Sequence, residues 1–108
     1  MDLIPVLFAH FIGDFILQSD WMAQNKSKSN KALLIHVAVY SLPLFLFGWQ
    51  FAILNAVIHG AIDYMTSRIA SQLWADKQVH WFFVVIGFDQ FLHTACLLTS
   101  YSLLLPLP

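Results

Sequence analysis

The chain has 108 residues, of which 59% are hydrophobic and only 10% charged, and its formal net charge is −1. A soluble domain carries about 25% charged residues, so this composition excludes an ordinary water-covered surface and predicts an integral membrane protein. All six acidic residues are Asp, although Glu is a favoured residue on water-exposed helix faces. Five Lys and Arg residues are too few for a nucleic-acid-binding surface. The length allows a single domain, residues 1–108.

Apolar segments separated by polar stretches predict an all-α fold, a four-helix transmembrane bundle. A helix needs about 20 residues to cross the hydrocarbon, and fewer where the bilayer thins. The predicted spans are residues 3–18, 31–47, 51–69 and 81–103. Polar stretches at 19–30 and 70–79 join the spans at one side, and a tight turn at Gly48–Gln50 joins them at the other. Pro43 lies inside the second span and predicts a kink.

The basic residues predict the orientation of the bundle. Lys26, Lys28 and Lys31 flank the first polar stretch, and Arg68 and Lys77 flank the second. Four antiparallel spans bring both stretches to one side, which the positive-inside rule makes cytoplasmic. Both chain termini are therefore predicted to lie on the outer side. The predicted partners are membrane lipids, with a second copy of the chain as an open alternative.

Three spans carry a His and an Asp at a spacing of four, which places both side chains on one helix face. The pairs are His10 with Asp14, His59 with Asp63, and Asp89 with His93. The first two pairs read His then Asp on inward-running helices, whereas the third reads Asp then His on an outward-running helix. Antiparallel packing therefore predicts one layer of Asp and, one turn deeper, one layer of His. His36 of the second span should reach the Asp layer.

Buried carboxylates in a membrane need a counter-charge. One ionised Asp at mid-span costs about 2.5–3.5 kcal/mol, so three unpaired ones would cost roughly 8–10 kcal/mol. No Lys or Arg lies within a predicted span to neutralise them. One or two divalent cations would, and mixed imidazole and carboxylate ligands suit Zn, Mn or Fe better than Mg or Ca. The predicted metal ligands are His10, Asp14, His36, His59, Asp63, Asp89 and His93.

Further polar residues extend the same helix faces and are candidates to orient the ligands or to bind substrate. Gln18 lies one turn beyond Asp14, Asn55 one turn before His59, and Tyr40 one turn beyond His36. Gln90 follows Asp89 directly. Lys26 is a candidate to attract an anionic headgroup.

Four motifs of the chain resemble those of a family of small bacterial and phage membrane proteins, domain of unknown function 3307. The motifs read HFIGDFILQSDWMAQNK, LLIHVAVY, HGAIDY and DQFLH, and they occur in this order over most of the chain. The resemblance implies that the seven His and Asp residues above, with Gln18, are the family's positions, and it implies a multi-pass protein of the bacterial inner membrane. It implies no activity. A weaker likeness, limited to the His- and Asp-bearing spans, is to proposed membrane-bound metal-dependent hydrolases.

These features favour metal-dependent hydrolysis of a lipid or lipid-phosphate headgroup, with Asp14, Asp63 or Asp89 as the catalytic base. Four alternatives stay open. A metal-ion or proton transporter would use the same residues as a relay, and a haem-binding electron carrier would use the His pairs. A non-enzymatic phage protein, such as a holin or an exclusion protein, would act through partners or lesions. Finally, the His/Asp pairs could serve only as hydrogen bonds between helices.

Overall fold

The structure is a computed structural model that describes residues 3–104. This range is all helical, without a strand, as predicted. Its elements in chain order are α1 (Ile4–Phe11), a π-helical turn (Ile12–Ile16), α2 (Asp20–Asn25), α3 (Asn30–Ser41), a 3-10 segment (Leu42–Phe47), α4 (Trp49–Ala75) and α5 (Val79–Leu104). Both chain termini lie outside the described residues, and the predicted outer location of the termini stays a prediction.

Four helical stretches pack antiparallel: α1 with its π turn, α3 with its 3-10 segment, α4, and α5. Two side-chain contacts between each pair of neighbouring stretches show the antiparallel direction. The later residue of one stretch contacts the earlier residue of the other. Asp14 contacts His36 and His10 contacts Tyr40, between the α1 and α3 stretches. Phe47 contacts Phe51 and His36 contacts His59, between the α3 stretch and α4. Trp74 contacts Phe82 and Asn55 contacts Ser100, between α4 and α5. The short helix α2 packs beside α3.

Polar caps and one glycine set the helix boundaries. The Ser19 hydroxyl accepts from the Met22 amide at 3.2 Å, which starts α2 inside a stretch predicted only as polar. Ser29 caps α3 in the same way, through the Ala32 amide. Gly48 has a φ of +112°, a value that glycine adopts without strain, and it separates the 3-10 segment from α4. The predicted turn over Gly48–Gln50 is therefore too long, because α4 begins at Trp49.

The second and third predicted spans also differ in detail from the structure. At Pro43, where the sequence predicts a kink, α3 changes into a 3-10 helix from Leu42 onward. Proline has no amide hydrogen and its ring collides with the carbonyl four residues earlier, so α-helical bonding stops there. Helix α4 extends to Ala75 rather than to residue 69. The second polar stretch is thus mostly helical, and only residues 76–78 form the turn.

Two helical stretches, Asn30–Phe47 and Val79–Leu104, are long and apolar enough to cross a membrane, and Ile4–Ile16 is apolar but shorter. The distribution of polarity is the reverse of that in a water-soluble protein. Among residues 3–104, eleven buried residues are polar or charged and ten are hydrophobic, while 27 large hydrophobic residues are exposed. Exposed apolar surface on this scale exceeds what a soluble monomer presents to water.

Candidate metal centre

A distorted helix and a glycine bring Asp14 to the centre of the molecule. The π turn Ile12–Ile16 follows α1 directly and contains both Gly13 and Asp14. A Cβ atom on Gly13 would lie 2.5 Å from the Tyr40 carbonyl oxygen, so only glycine permits this approach to α3. The result is that Asp14 is buried, with its Oδ1 atom 3.2 Å from His36 Nε2. Single π turns inside helices are frequent at functional sites.

Four buried donor atoms from α3, α4 and the π turn converge on one point: His36 Nε2, His59 Nε2, Asp14 Oδ1 and Asp63 Oδ2. The two imidazole nitrogens are 3.1 Å apart. His36 Nε2 lies 3.2 Å from each carboxylate oxygen, and His59 Nε2 lies 3.5 Å from Asp14 and 3.2 Å from Asp63. Tetrahedral ligands about 2.0–2.1 Å from a zinc ion are separated by roughly 3.3 Å. The four donor atoms are therefore close enough together to hold a metal ion.

A second donor group shares Asp63 with the first. His93 Nε2 lies 2.9 Å from the other oxygen of Asp63, Oδ1, and 3.1 Å from Asp89 Oδ1. The three residues Asp63, Asp89 and His93 are all buried and form a second set that could hold a metal. Because each oxygen of Asp63 faces a different group, this carboxylate would contribute to both donor sets if both held a metal ion.

Hydrogen bonds and ring stacking hold these donors in place. The Gln90 amide nitrogen donates to both Asp14 and Asp89 at 3.1 Å, and its oxygen lies 3.1 Å from His10. The Tyr40 ring stacks on His59 with centroids 3.8 Å apart, and its hydroxyl lies 2.8 Å from His10 Nδ1.

The imidazole rings are oriented by packing rather than by hydrogen bonds to their outer nitrogens. Within residues 3–104, the Nδ1 atoms of His36, His59 and His93 have no hydrogen-bond partner. The rings of His59 and His93 instead stack on each other, with centroids 3.9 Å apart. All three Nε2 atoms are thereby directed at the carboxylates.

Although no Lys or Arg lies within a predicted span, one basic residue from outside the spans reaches the carboxylates. Lys26 Nζ donates to Asp63 Oδ2 at 3.3 Å, and the Lys26 side chain is only 20% exposed. Lys26 lies outside the predicted spans, in the connection between α2 and α3. This connection folds back against α4, and the four-carbon stem of the side chain carries the ammonium group inward.

The predicted separation into an Asp layer and a His layer does not hold for every pair. His59 contacts both Asp14 and Asp63, because its ring covers the one-turn offset between the layers. His10 lies beside the cluster, 3.9 Å from Asp14, and outside both donor groups. Asn55 bonds to Ser100 and to the Phe51 carbonyl rather than to the cluster.

Gln18 is a predicted site residue, whereas Thr66 is not. Gln18 is half-buried, and its Oε1 atom has no hydrogen-bond partner within residues 3–104. Thr66, which the sequence reasoning missed, donates its hydroxyl to Asp89 Oδ1. Its spacing was a usable signal, since Thr66 follows His59 by seven residues and Asp63 by three and so shares their helix face.

The cluster is closed on one side and approachable on the other. Toward the ends of the helices that meet at Gly48, an apolar cluster covers it; the fully buried members are Val6, Tyr40, Leu44, Phe51, Ala52 and Leu97. On the opposite side, Asp63 and Asp89 line a small cavity of about 50 Å³ together with Lys26. A larger cavity of about 700 Å³, formed by the connection after α2 with α4 and α5, shares Lys26 with the small one.

The fold and the site therefore define an all-helical protein with a buried His/Asp cluster that could hold metal. A family model described as protein of unknown function (DUF3307) matches residues 3–107, and the chain belongs to this family. This confirms the resemblance inferred from the four motifs. Searches of curated proteins and of solved structures found no match.

Proposed function

We propose that this protein is a multi-pass enzyme of the bacterial inner membrane that hydrolyses a headgroup phosphoester of an anionic lipid at a one- or two-metal centre. The observation that carries the proposal is the convergence of His36, His59, Asp14 and Asp63 at ligand spacing, together with the cavity that leads from the surface to Asp63 and Asp89. Zinc, manganese and iron match the donor atoms better than magnesium or calcium.

The distribution of polarity supports a location in the membrane. Ionisable side chains inside a bilayer face the interior of the bundle and pair with one another, and here every member of the two donor groups is buried. Helices α3 and α5 supply two spans by length and composition. We propose α4 and the α1 stretch as the other two spans. The stretch Ile4–Ile16 is about 20 Å long, so its crossing requires local thinning of the bilayer.

The metal ligands and Asp89 have different roles in the proposed reaction. A bound metal ion makes a water molecule nucleophilic at neutral pH and polarises a phosphoryl oxygen. Asp89 is the best candidate for the base, because its side chain is 11% exposed, against 2% for Asp63 and 4% for Asp14, and it lines the small cavity. A cavity of this size holds a water molecule. As the water oxygen bonds to phosphorus, Asp89 takes its proton, the ester P–O bond breaks, and the proton passes to the departing alcohol oxygen.

The apolar cover on the far side of the cluster favours hydrolysis over transport. A transporter needs polar access to its binding site from both sides of the membrane, although the two sides can open in turn. Here Leu44, Phe51 and Leu97 are fully buried between the cluster and the helix ends near Gly48. The small cavity that Asp63 and Asp89 line lies on the opposite side, and it shares Lys26 with the large cavity. A site with one entrance suits a substrate that enters and leaves by the same route.

Metal content and turnover test the proposal together. Full-length protein, purified in mild detergent without chelator, should hold at least one transition metal per chain by mass spectrometry. Asp63→Asn should lose most of this metal, since Asp63 belongs to both donor groups. Asp76→Asn is the matched control, because Asp76 is an exposed carboxylate bonded only to Gln72.

Hydrolysis is then screened with phospholipids and polyprenyl phosphates. Asp89→Asn should keep the fold and the metal held by the first donor group, to which Asp89 does not belong, but lose about 10²–10⁴-fold in rate, the usual contribution of a general base. Well-folded protein without metal would overturn the proposal. So would intact substrates in every assay combined with ion flux across vesicles that Asp63→Asn abolishes, which would establish transport instead.

A further inference from the structure

The large cavity beside α4 and α5 combines a basic, hydroxyl-rich end with an aromatic wall. Its volume is about 700 Å³, within the range of about 300–1,000 Å³ that ligand sites occupy. Lys26, Lys28 and Ser67 lie among its lining residues, whereas Trp74 and Phe83 contribute apolar surface. A ligand complementary to these walls has an anionic head and an apolar body.

Ser67 supplies a second, independent indication of a ligand. Its hydroxyl oxygen is buried and has no hydrogen-bond partner within residues 3–104. Buried hydroxyls in folded proteins are nearly always paired, so an unpaired one calls for an explanation. Ser67 lines both the large cavity and the small cavity beside Asp63 and Asp89. Ser67 therefore lies where the two cavities adjoin, with a hydroxyl that lacks a partner in the described residues.

Lys26 lines both the large cavity and the small cavity. Its ammonium group donates to Asp63 Oδ2, the same oxygen that faces His36 and His59 in the first donor group. An ammonium group has three N–H donors, and a phosphate at the mouth of the small cavity would compete with Asp63 for them. Movement of Lys26 toward a ligand would free Asp63 Oδ2 for the metal centre.

We propose that the large cavity binds the phosphate headgroup of an anionic membrane lipid, and that Lys26 exchanges its partner from Asp63 to this phosphate. The inference deepens the proposed function and rests on it for the membrane location. It makes Lys26 a positioning residue that couples occupancy of the cavity to the state of Asp63. The bound phosphate is held by Lys26 and Ser67, and an acyl chain lies along Trp74 and Phe83.

Binding can be measured without turnover, with chelator present so that no hydrolysis occurs. The probe is phosphatidic acid with brominated acyl chains, in nanodiscs of phosphatidylcholine, because bromine quenches tryptophan fluorescence on contact. Trp21, Trp49 and Trp81 are replaced by Phe so that Trp74 alone reports. We expect brominated phosphatidic acid to quench Trp74 at lower mole fraction than brominated phosphatidylcholine does. Native mass spectrometry of the unsubstituted chain gives the same comparison if the triple variant does not fold.

Lysine variants then assign the preference to one side chain. Lys26→Met should weaken the preference for phosphatidic acid by about ten-fold or more, the effect of losing a charge-assisted hydrogen bond. Lys26→Arg should retain it. Lys31→Met is the matched control, since Lys31 lies nearby in sequence but does not line the cavity.

The two proposals fail in different ways. Equal quenching by the two lipids, or equal effects of Lys26→Met and Lys31→Met, would overturn the headgroup site even if the protein hydrolyses lipid. Selective, Lys26-dependent binding by a protein that holds no metal and turns nothing over would support the headgroup site and overturn the enzyme. In an active protein, Lys26→Met should raise KM more than it lowers kcat, because the residue acts mainly on binding.

Discussion

Gly13 offers a test of whether the π turn positions the donor atoms. Replacing it by Ala adds one methyl group at a point where the π turn touches α3. The new Cβ would lie 2.5 Å from the Tyr40 carbonyl oxygen and 3.1 Å from its ring carbon Cδ1. Real Cβ atoms essentially never come closer than 3.0 Å to such an atom. The π turn and α3 must therefore move apart by at least about 0.5 Å, a shift that exceeds the tolerance of about 0.2 Å for metal–ligand distances.

Two effects on stability oppose each other in Gly13→Ala. Ala is favoured over Gly in a helix by about 0.8–1 kcal/mol, whereas overpacking typically costs about 1–3 kcal/mol. We expect a net loss of about 0–2 kcal/mol. The effect on the site should be larger, because Asp14 follows Gly13 directly and moves with it. Metal affinity should fall by about 10–100-fold, the range seen when the support of a ligand is disturbed.

Gly87→Ala is the matched control, since a Cβ at Gly87 of α5 meets nothing within 4 Å. It should leave metal affinity unchanged and stabilise the helix by up to about 1 kcal/mol. The two variants are compared by metal titration and by thermal unfolding in the same detergent. If Gly13→Ala binds metal as tightly as Gly87→Ala, the close approach of the π turn to α3 does not position Asp14, and the reasoning is refuted.

Two other predictions concern topology and acidity. A reporter fused after Pro108 should respond as an outer-side fusion, because both lysine-bearing connections are predicted to face the cytoplasm; a cytoplasmic response would contradict the predicted orientation. Bound metal should leave as the pH falls, because protons compete for the imidazole ligands His36 and His59. Equilibrium dialysis across a pH series measures this release, and a metal content independent of acidity would contradict imidazole ligation.

Helix periodicity predicted the contacts among the His and Asp residues of α4 and α5. A spacing of four places His59 and Asp63 on one face of α4, and the reversed order of Asp89 and His93 brings them to the same level when α5 runs the other way. The structure brings these four residues together within hydrogen-bonding distance. Such patterns are readable because a helix repeats every 3.6 residues wherever it occurs. The same rule would have identified Thr66.

Contacts made by irregular segments were not predictable in this way. Asp14 lies in the π turn, and no periodic pattern in the sequence predicts this turn. Lys26 belongs to a connection whose path depends on packing against α4 rather than on local spacing. The sequence reasoning assigned Lys26 to membrane orientation and to headgroup attraction, whereas the structure pairs it with Asp63. The positions of Asp14 and Lys26 are both set by tertiary contacts, which the local sequence does not reveal.

The ion pair of Lys26 leaves most of the buried charge unmatched. It offers one positive charge to three carboxylates, so the remainder must come from protons on the imidazoles or from metal. Protons satisfy the geometry poorly. His36 Nε2 has three neighbours at almost equal distance, namely His59 Nε2 at 3.1 Å and one oxygen each of Asp14 and Asp63 at 3.2 Å. An N–H group points at one acceptor, whereas a cation among the four atoms contacts all of them at once. The arrangement of the donors therefore favours metal over protons as the counter-charge.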